Sequence, residues 1–184
     1  MIDRIIKEIK TSLENGCPIV ALTSALTLPD ICGKAMYPEI KHNKQRFVKW
    51  FDENIHKYES ILLKDFKLPY ISGEIAYSLR CSLLHEGNPN IDYHKFDVAY
   101  FELVYGQELG CNVMIYSSDS EIIEDENKNK QYINKKISVN VWSLCNKICM
   151  YAKMCYEENK VKFDFFNYNL INIDYQTKRL FRIK

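Results

Sequence analysis

The sequence predicts a mainly α protein, a bundle of four to five helices with a small antiparallel β appendage in the C-terminal half. Three observations predict this fold. Apolar residues recur at helical spacing through most of the first 90 residues. Short segments rich in β-branched and aromatic residues follow between 96 and 118. Helical spacing then returns at 138–158.

A chain of 184 residues is long enough for one domain with a substantial core. We therefore expect a single domain, 1–184, with the helical core at 1–90, a β-hairpin at 96–118, a helix at 138–158 and a C-terminal strand at 161–175. The charges nearly balance, with 25 lysines and arginines against 24 aspartates and glutamates. The molecule as a whole therefore steers nucleic acid weakly, and such a contact needs a local basic patch.

The first helix is predicted over 2–15 and ends at Gly16, because glycine commonly terminates helices. The following run, PIVALTSALTLPDICGKAMYP, is apolar on nearly all sides, which is typical of a buried helix. Pro29 inside this run predicts a kink or a new helix that begins near Thr27 or Leu28. The inner face of the first helix is formed by Ile2, Ile5, Ile6, Ile9 and Leu13.

Two further helices are predicted before residue 90. The third begins at Asn43, a residue type that suits the N-cap position. The fourth has Ser72 as its N-cap and ends at Gly87 and Pro89. The apolar face of the third helix is Phe47, Trp50, Phe51 and Ile55, and the inner stripe of the fourth is Ile75, Leu79, Ser82 and Leu83.

The second half of the chain predicts the β structure. The segments VAYFELVYG and NVMIYSSDS are separated by a turn with Gly106 and Gly110, which indicates a hairpin. The charged segment EIIEDENKNKQYINKK is expected to loop through solvent. The final apolar run, VKFDFFNYNLINIDY, indicates one or two strands that close on the hairpin.

Seven cysteines are scattered along the chain, at positions 17, 32, 81, 111, 145, 149 and 155. The sequence shows neither the apolar centre of a signal peptide nor a long uninterrupted apolar run. We therefore expect a cytoplasmic protein with reduced thiols and no membrane segment. Cys145, Cys149 and Cys155 admit zinc as an alternative, but no paired CxxC motif or histidine cluster completes a tetrahedral set. We expect core cysteines, no metal and no cofactor.

The stretch SLRCSLLHEGNP, residues 78–89, carries an arginine and a histidine at the end of the fourth helix. Arg80 and His85 are five positions apart, so their side chains diverge by about 140° on an ideal α-helix. They approach one face only if the last turn loosens, which Gly87 and Pro89 favour. A histidine near a helix C-terminus suits acid–base chemistry, and an arginine beside it suits a phosphate.

A purely structural interpretation explains the same residues. His85 then caps the last helical carbonyls, and Arg80 pairs with Asp30, Asp52 or Glu74. An arginine and a histidine at this spacing arise often by chance.

The Arg80-x4-His85 pair at a helix end, followed by Gly87, resembles the R-x(4–6)-H motif of the HEPN superfamily. These proteins are small helical bundles, many of them metal-independent endoribonucleases of defence, toxin–antitoxin and RNA-processing systems, and others non-catalytic nucleotide-binding or interaction modules. The segments LTLPDICGKAMYP and NKQRFVKWFDENI are similar to the preceding helices of uncharacterised bacterial members. The resemblance covers residues 19–89. It departs from the superfamily at Cys81, where an asparagine is frequent.

The resemblance implies that the 2′-hydroxyl of RNA attacks the adjacent phosphate and leaves a 2′,3′-cyclic phosphate. His85 moves the proton at the attacking or the leaving oxygen, and Arg80 stabilises the charged phosphate. The superfamily further implies a homodimer that joins two motifs in one cleft, and an antitoxin or another partner protein. The alternative is a non-catalytic module that binds a nucleotide or a protein.

Several other residues are assigned supporting roles. In KHNKQRFVKW, Lys44, Arg46 and Lys49 alternate with aromatic residues, which indicates an RNA-binding patch or, alternatively, an ordinary solvated helix face. Ser82 is a candidate substrate-binding hydroxyl, or it bonds back to its own helix. Glu86 is expected to support the imidazolium of its neighbour.

Asp30 lies in an apolar segment, so it requires a cationic partner if it is buried. Arg80 and Arg46 both suit this role. An Asp30–Arg80 pair would either position the arginine for function or merely satisfy its charge, and the sequence leaves both interpretations open.

Overall fold

The structure is a computed structural model that describes residues 2–59, 61–63, 66–68, 71–96, 98–106, 113–117, 122–124, 130–132 and 135–166. Most of these residues are helical, and the largest sheet lies in the C-terminal half, as the sequence predicts. The helices share one apolar core.

The first three helices follow the predicted pattern. Helix α1 spans Ile2–Glu14 and stops at Gly16, whose φ of 70° is the left-handed conformation that glycine adopts easily. Helix α2 spans Pro18–Ala25, and α3 spans Leu28–Met36 with Pro29 in its first turn. By length and hydropathy alone, Pro18–Met36 passes as a membrane-spanning helix, but the chain divides it into two helices and buries half of it.

The prediction that this apolar run is buried on all sides is wrong at the start of α2. Ile19 and Val20 are 44% and 58% exposed. Leu22, Ala25 and Leu28 are buried as expected. The reason is that α2 packs mainly against α1 and α7 (Val141–Glu158), which leaves Ile19 and Val20 exposed.

The third and fourth predicted helices each contain a π-helical turn near their C-terminal end. Helix α4 spans Asn43–Phe51 and continues through a π-helical turn at Asp52–His56 into the short α5, Lys57–Glu59. Helix α6 spans Gly73–Cys81 and continues into a π-helical turn at Ser82–Glu86. The predicted cap of α6 is confirmed, because the Ser72 hydroxyl accepts a hydrogen bond from the Ile75 amide at 3.4 Å. The cap of α4 is His42, one residue before the predicted Asn43.

Two glycines allow α4 to pack tightly against its neighbours. A Cβ atom at Gly33 would lie 2.8 Å from the carbonyl oxygen of Arg46, and one at Gly73 would lie 2.7 Å from that of Val48. Both contacts are closer than side-chain carbons tolerate. The absence of a side chain at these positions therefore sets the α3–α4 and α4–α6 distances.

We expect Gly33→Ala and Gly73→Ala each to destabilise the protein by about 1–3 kcal/mol, because the added methyl group forces two backbones apart. Chemical denaturation measures this change. Gln45→Ala, at an exposed position of α4, the helix that both glycines contact, is the control and should change the free energy of unfolding by less than about 0.5 kcal/mol. Equal stability of all three variants would contradict the close packing.

Helix α7 belongs to the bundle core. It packs against α1, α2 and α3 and buries its own apolar stripe among them. The expectation that 1–90 alone forms the core is therefore too narrow. The predicted helix at 138–158 exists, but it begins at Val141 because residues 135–140 form a strand. The stripe consists of Val141, Leu144, Cys145, Ile148, Cys149, Ala152 and Cys155.

The seven described strands are short. They are β1 (Ile61–Leu63), β2 (Phe66–Leu68), β3 (Val98–Val104), β4 (Val113–Ser117), β5 (Ile122–Glu124), β6 (Lys130–Tyr132) and β7 (Lys135–Asn140). Strands β1 and β2 pair with each other, as do β5 and β6. The three remaining strands form a sheet in the order β3-β7-β4.

The predicted hairpin at 96–118 is wrong, although both of its strands exist. Strand β7 lies between β3 and β4, parallel to the first and antiparallel to the second, so this sheet is mixed. The physical reason is that Ile137 and Val139 of β7 are buried, and a buried strand needs hydrogen-bond partners on both edges. The segment predicted as a charged loop contributes β5, β6 and the start of β7.

The predicted C-terminal strand at 161–175 is wrong in its first part. Residues Lys160–Phe166 form a 3₁₀-helix, and 167–175 lie outside the described residues. Phe163 is buried and meets the ring of Tyr156 edge-on at 5.2 Å. The chain therefore folds back onto the end of α7 after Asn159 instead of extending along the sheet.

Candidate functional site

Arg80 lies in the last turn of α6 and binds the carboxylate of Asp30, which lies in the first turn of α3. The Arg80 Nε donates to Asp30 Oδ2 at 2.9 Å, and the two side chains are only 17% and 16% exposed. The other carboxylate oxygen accepts from Asn43 Nδ2 at 2.7 Å. Asp30 thus has the cationic partner that the sequence requires, and three helices meet at this pair.

The two other acidic candidates have different partners. Asp52 Oδ1 accepts from the Gly73 amide at 2.6 Å and so joins the end of α4 to the start of α6. Glu74 pairs with Lys44 at 2.6 Å near the surface. The three carboxylates therefore bind three different partners, and only Asp30 binds Arg80.

Arg80 is held permanently in its charged form. Burial by itself lowers the pKa of Arg80, but the negative charge and hydrogen bond of Asp30 outweigh burial and raise the pKa above its ordinary value. The guanidinium also lies 5.7 Å from the centre of the Tyr77 ring, one turn earlier on α6. Tyr77 in turn meets Phe47 edge-on at 5.2 Å. The arginine is therefore positioned from two sides.

The turn that follows Arg80 is wider than an α-helical turn. Over Ser82–Glu86 the chain is π-helical, and the Gly87 amide donates to the carbonyl of Ser82, five residues earlier. Gly87 has a φ of 68° and ends the helix. Each residue of a π-helix advances less around the axis, so residues five apart come nearer to one face. The predicted loosening of the last turn is confirmed, and it lessens the divergence of Arg80 and His85.

His85 lies on the solvent side of this π turn and is exposed. Among the described residues, none forms a hydrogen bond or an ion pair with its ring. Glu86 is also exposed, and Leu84 is 40% exposed. The site therefore combines a fixed, half-buried cation with an accessible histidine. A partly buried arginine can stabilise a negative charge, and an accessible histidine can exchange a proton.

The three cations predicted as one RNA-binding patch are distributed over three different contacts. Lys44 pairs with Glu74, and Lys49 lies over the ring of Tyr37 at 4.4 Å. Arg46 donates to the Ile40 carbonyl at 2.8 Å. Arg46 and Lys49 are three positions apart and lie on one side of α4, whereas Lys44 lies nearly opposite Arg46 around the helix.

Ser82 does not suit the substrate-binding role proposed for it. Its relative exposure is 8%, and its carbonyl oxygen takes part in the π-helical hydrogen bonding. The side chain therefore faces the protein interior.

The prediction from sequence assigns no functional role to Asn43 or Tyr77, although both contribute to the site. Asn43 is interpreted there only as a helix cap, but its side chain holds Asp30. The contact of Tyr77 with Arg80 could have been predicted, because Tyr77 lies three positions earlier and therefore on the same face of the helix. Asn43 gives no comparable signal, because its contact with Asp30 depends on how α3 and α4 pack.

The cysteines of α7 are buried core residues. Burial raises the pKa of Cys149 to about 12 and raises that of Cys145 further, so both remain thiols at neutral pH. In the part of the chain that the structure describes, no three side chains of histidine, cysteine, aspartate or glutamate lie together in a way that could hold a metal ion.

Comparisons with known proteins identify no relative of this chain. No protein-family model, curated protein or solved structure matches the chain. The functional interpretation therefore depends on the residues of the site and on their chemistry.

Proposed function

We propose that the protein is a metal-independent endoribonuclease of the HEPN type, with Arg80 and His85 as its catalytic residues. One observation carries this proposal. An arginine fixed by Asp30 ends α6, and the π turn that follows presents an exposed histidine five residues later. A π turn is rare and occurs frequently at functional sites.

The proposed reaction is an internal transfer of the phosphoryl group. The 2′-oxygen of a ribose forms a bond to the neighbouring phosphorus atom, and the bond from phosphorus to the 5′-oxygen of the next nucleotide breaks. A histidine takes the proton of the 2′-hydroxyl, and a second acid protonates the departing 5′-oxygen. The products are a 2′,3′-cyclic phosphate and a 5′-hydroxyl. Arg80 stabilises the additional negative charge on the phosphate oxygens.

A homodimer supplies the second acid–base group in this proposal. Neither of the other histidines whose side chains the structure describes suits the role in the same protomer. His42 occupies the N-cap position of α4 on a different helix from Arg80, and His56 contacts the carbonyl of Ile71 at 3.2 Å. A second copy of His85 therefore completes the pair. The exposed apolar side chain of Leu84, next to His85, supports an interface at this place.

The test is incubation of the purified protein with labelled single-stranded RNA and with total RNA in excess EDTA. We expect cleavage that persists under chelation and fails on an oligonucleotide with 2′-deoxyribose at every position. Intact RNA after incubation with a folded dimer would contradict the proposal, and so would equal cleavage of the all-deoxy oligonucleotide.

A second candidate is a non-catalytic module that binds a nucleotide or a partner protein. The Arg80–Asp30 pair favours it, because Asp30 already neutralises the arginine, and Cys81 stands where an asparagine is frequent in the superfamily. Binding of RNA without any cleavage would support this second candidate over the first.

A further inference from the structure

A cleft of about 590 Å³ lies between the end of α3, the segment before α4 and the 3₁₀-helix Lys160–Phe166. This volume is within the range of small-molecule sites. Its lining contains three cations and one carboxylate, so the cleft has an excess of positive charge although the whole molecule is nearly neutral. The charged residues are Lys34, Arg46, Lys162 and Glu39.

The cations of this cleft retain binding capacity. Lys34 and Lys162 are exposed, and neither forms an ion pair with another described residue. Arg46 donates from one Nη to the Ile40 carbonyl and from the other to Asn43 Oδ1. Its Nε is buried with no acceptor among the described residues, which is uncommon for a guanidinium. The ammonium groups of Lys34 and Lys162 and the remaining Nη hydrogens of Arg46 suit an anionic ligand, whereas the buried Nε is not accessible to one.

An aromatic ring lies beside the cations. Phe165 is 43% exposed, and the Lys34 ammonium lies over its ring at 4.5 Å from the centre. Phe163 stacks near Phe165, with the ring centres 6.4 Å apart. A flat base can displace the lysine from this ring, and the released ammonium is then free to meet a phosphate. Exposed aromatic rings next to cations are the elements that bind single-stranded nucleic acid.

The cleft continues the face that carries Arg80. A chain of hydrogen bonds runs from Arg80 to Asp30, from Asp30 to Asn43 and from Asn43 to Arg46 in the cleft. Lys34 lies four residues after Asp30 and therefore on the same side of α3, one turn further along. A strand bound in the cleft would thus extend along this face toward Arg80.

We propose that the cleft binds one nucleotide of single-stranded RNA. The base stacks on Phe165, and Lys34, Lys162 and Arg46 surround the phosphate. The choice of RNA rests on the proposed function, whereas the recognition of a base beside a phosphate follows from the residues of the cleft itself.

The test uses a fluorescent 2′-O-methyl oligonucleotide of about eight nucleotides, a length within the usual site size. This probe cannot be cleaved by 2′-hydroxyl attack, so binding is measured independently of catalysis. We expect Phe165→Leu to weaken binding by about fivefold or more. Lys34→Ala and Lys162→Ala should each lower the slope of log affinity against log salt by about 0.7. Lys10→Ala, an exposed lysine on α1, is the control and should change neither quantity.

Each outcome separates this inference from the proposed function. Unchanged binding in Phe165→Leu and in both lysine variants, with folding verified by circular dichroism, would overturn the cleft assignment even if the protein cleaves RNA. Loss of binding in these variants by a protein that never cleaves RNA would support the cleft and contradict the ribonuclease. If adenosine monophosphate binds as tightly as the oligonucleotide, the assignment of RNA as the ligand is overturned and a free nucleotide takes its place. Inorganic phosphate should bind more weakly than either.

Discussion

His85→Ala is expected to reduce RNA cleavage by a factor of about 10² to 10⁴ without changing the fold. This range is typical for the loss of a general acid or base. The side chain is exposed and forms no hydrogen bond or ion pair with a described residue, so its removal leaves no buried group unpaired. Initial rates of cleavage, measured beside the thermal unfolding of each variant, separate catalysis from stability.

His42→Ala is the matched control for this experiment. His42 is also an exposed histidine at a helix end, and its side chain makes no capping hydrogen bond. Its replacement should leave cleavage within about twofold of the wild type, because surface substitutions of this kind seldom perturb a protein. Equal rates for His85→Ala and the wild type would exclude His85 from the reaction.

Asp30→Asn is expected to cost about 2–3 kcal/mol in the free energy of unfolding and to lower cleavage as well. The substitution leaves the largely buried charge of Arg80 without its carboxylate. Loss of one partner destabilises a protein strongly when the ion pair is buried and hardly at all when the pair is exposed. The Asp30–Arg80 pair lies between these limits, at 16% and 17% exposure. Cleavage should fall because Arg80 loses the contact that positions it.

Glu74→Gln provides the comparison, since Glu74 belongs to the same helix α6 and its pair with Lys44 is about half exposed. We expect it to cost less than about 1 kcal/mol. A double variant, Asp30→Asn with Arg80→Gln, should recover part of the loss, because both charges are then removed together. An Asp30→Asn variant as stable as Glu74→Gln would contradict the structural importance of the Asp30–Arg80 pair.

The sequence predicts those parts of the fold that depend on neighbours in the chain. Gly16, Ser72 and Gly87 mark helix ends in the structure as they do in the sequence, because capping and left-handed termination are local events. Pro29 likewise separates two helices. The loosened turn after Arg80 follows from Gly87, but nothing local distinguishes a π turn from other ways of ending a helix.

The contacts between distant segments could not be predicted in the same way. Arg80 and Asp30 are 50 positions apart, and the sequence offered Asp52 and Glu74 as equal partners. Their contact requires α3 and α6 to pack on α4, and the close approaches at Gly33 and Gly73 within this packing are not revealed by any periodicity.

The order of strands in the sheet likewise could not be predicted from local patterns. Strands β3 and β4 have the alternation of a hairpin, yet β7 lies between them. Residue patterns define which segments form strands, whereas the order of strands depends on pairing over long separations. The contacts of the predicted RNA-binding cations also depend on packing. Lys44 pairs with Glu74, whereas Arg46 donates to the Ile40 carbonyl and lines the cleft beside α3.

The most direct test of the central claim is the chemistry of the RNA ends. A single-stranded oligoribonucleotide is incubated in EDTA with the wild type, His85→Ala and Asp30→Asn, and the products are identified by mass spectrometry. We predict 2′,3′-cyclic phosphate and 5′-hydroxyl ends from the wild type, in amounts that fall steeply in both variants. Products with 5′-phosphate ends, or the same cyclic ends at equal rates from all three proteins, would contradict catalysis by Arg80 and His85.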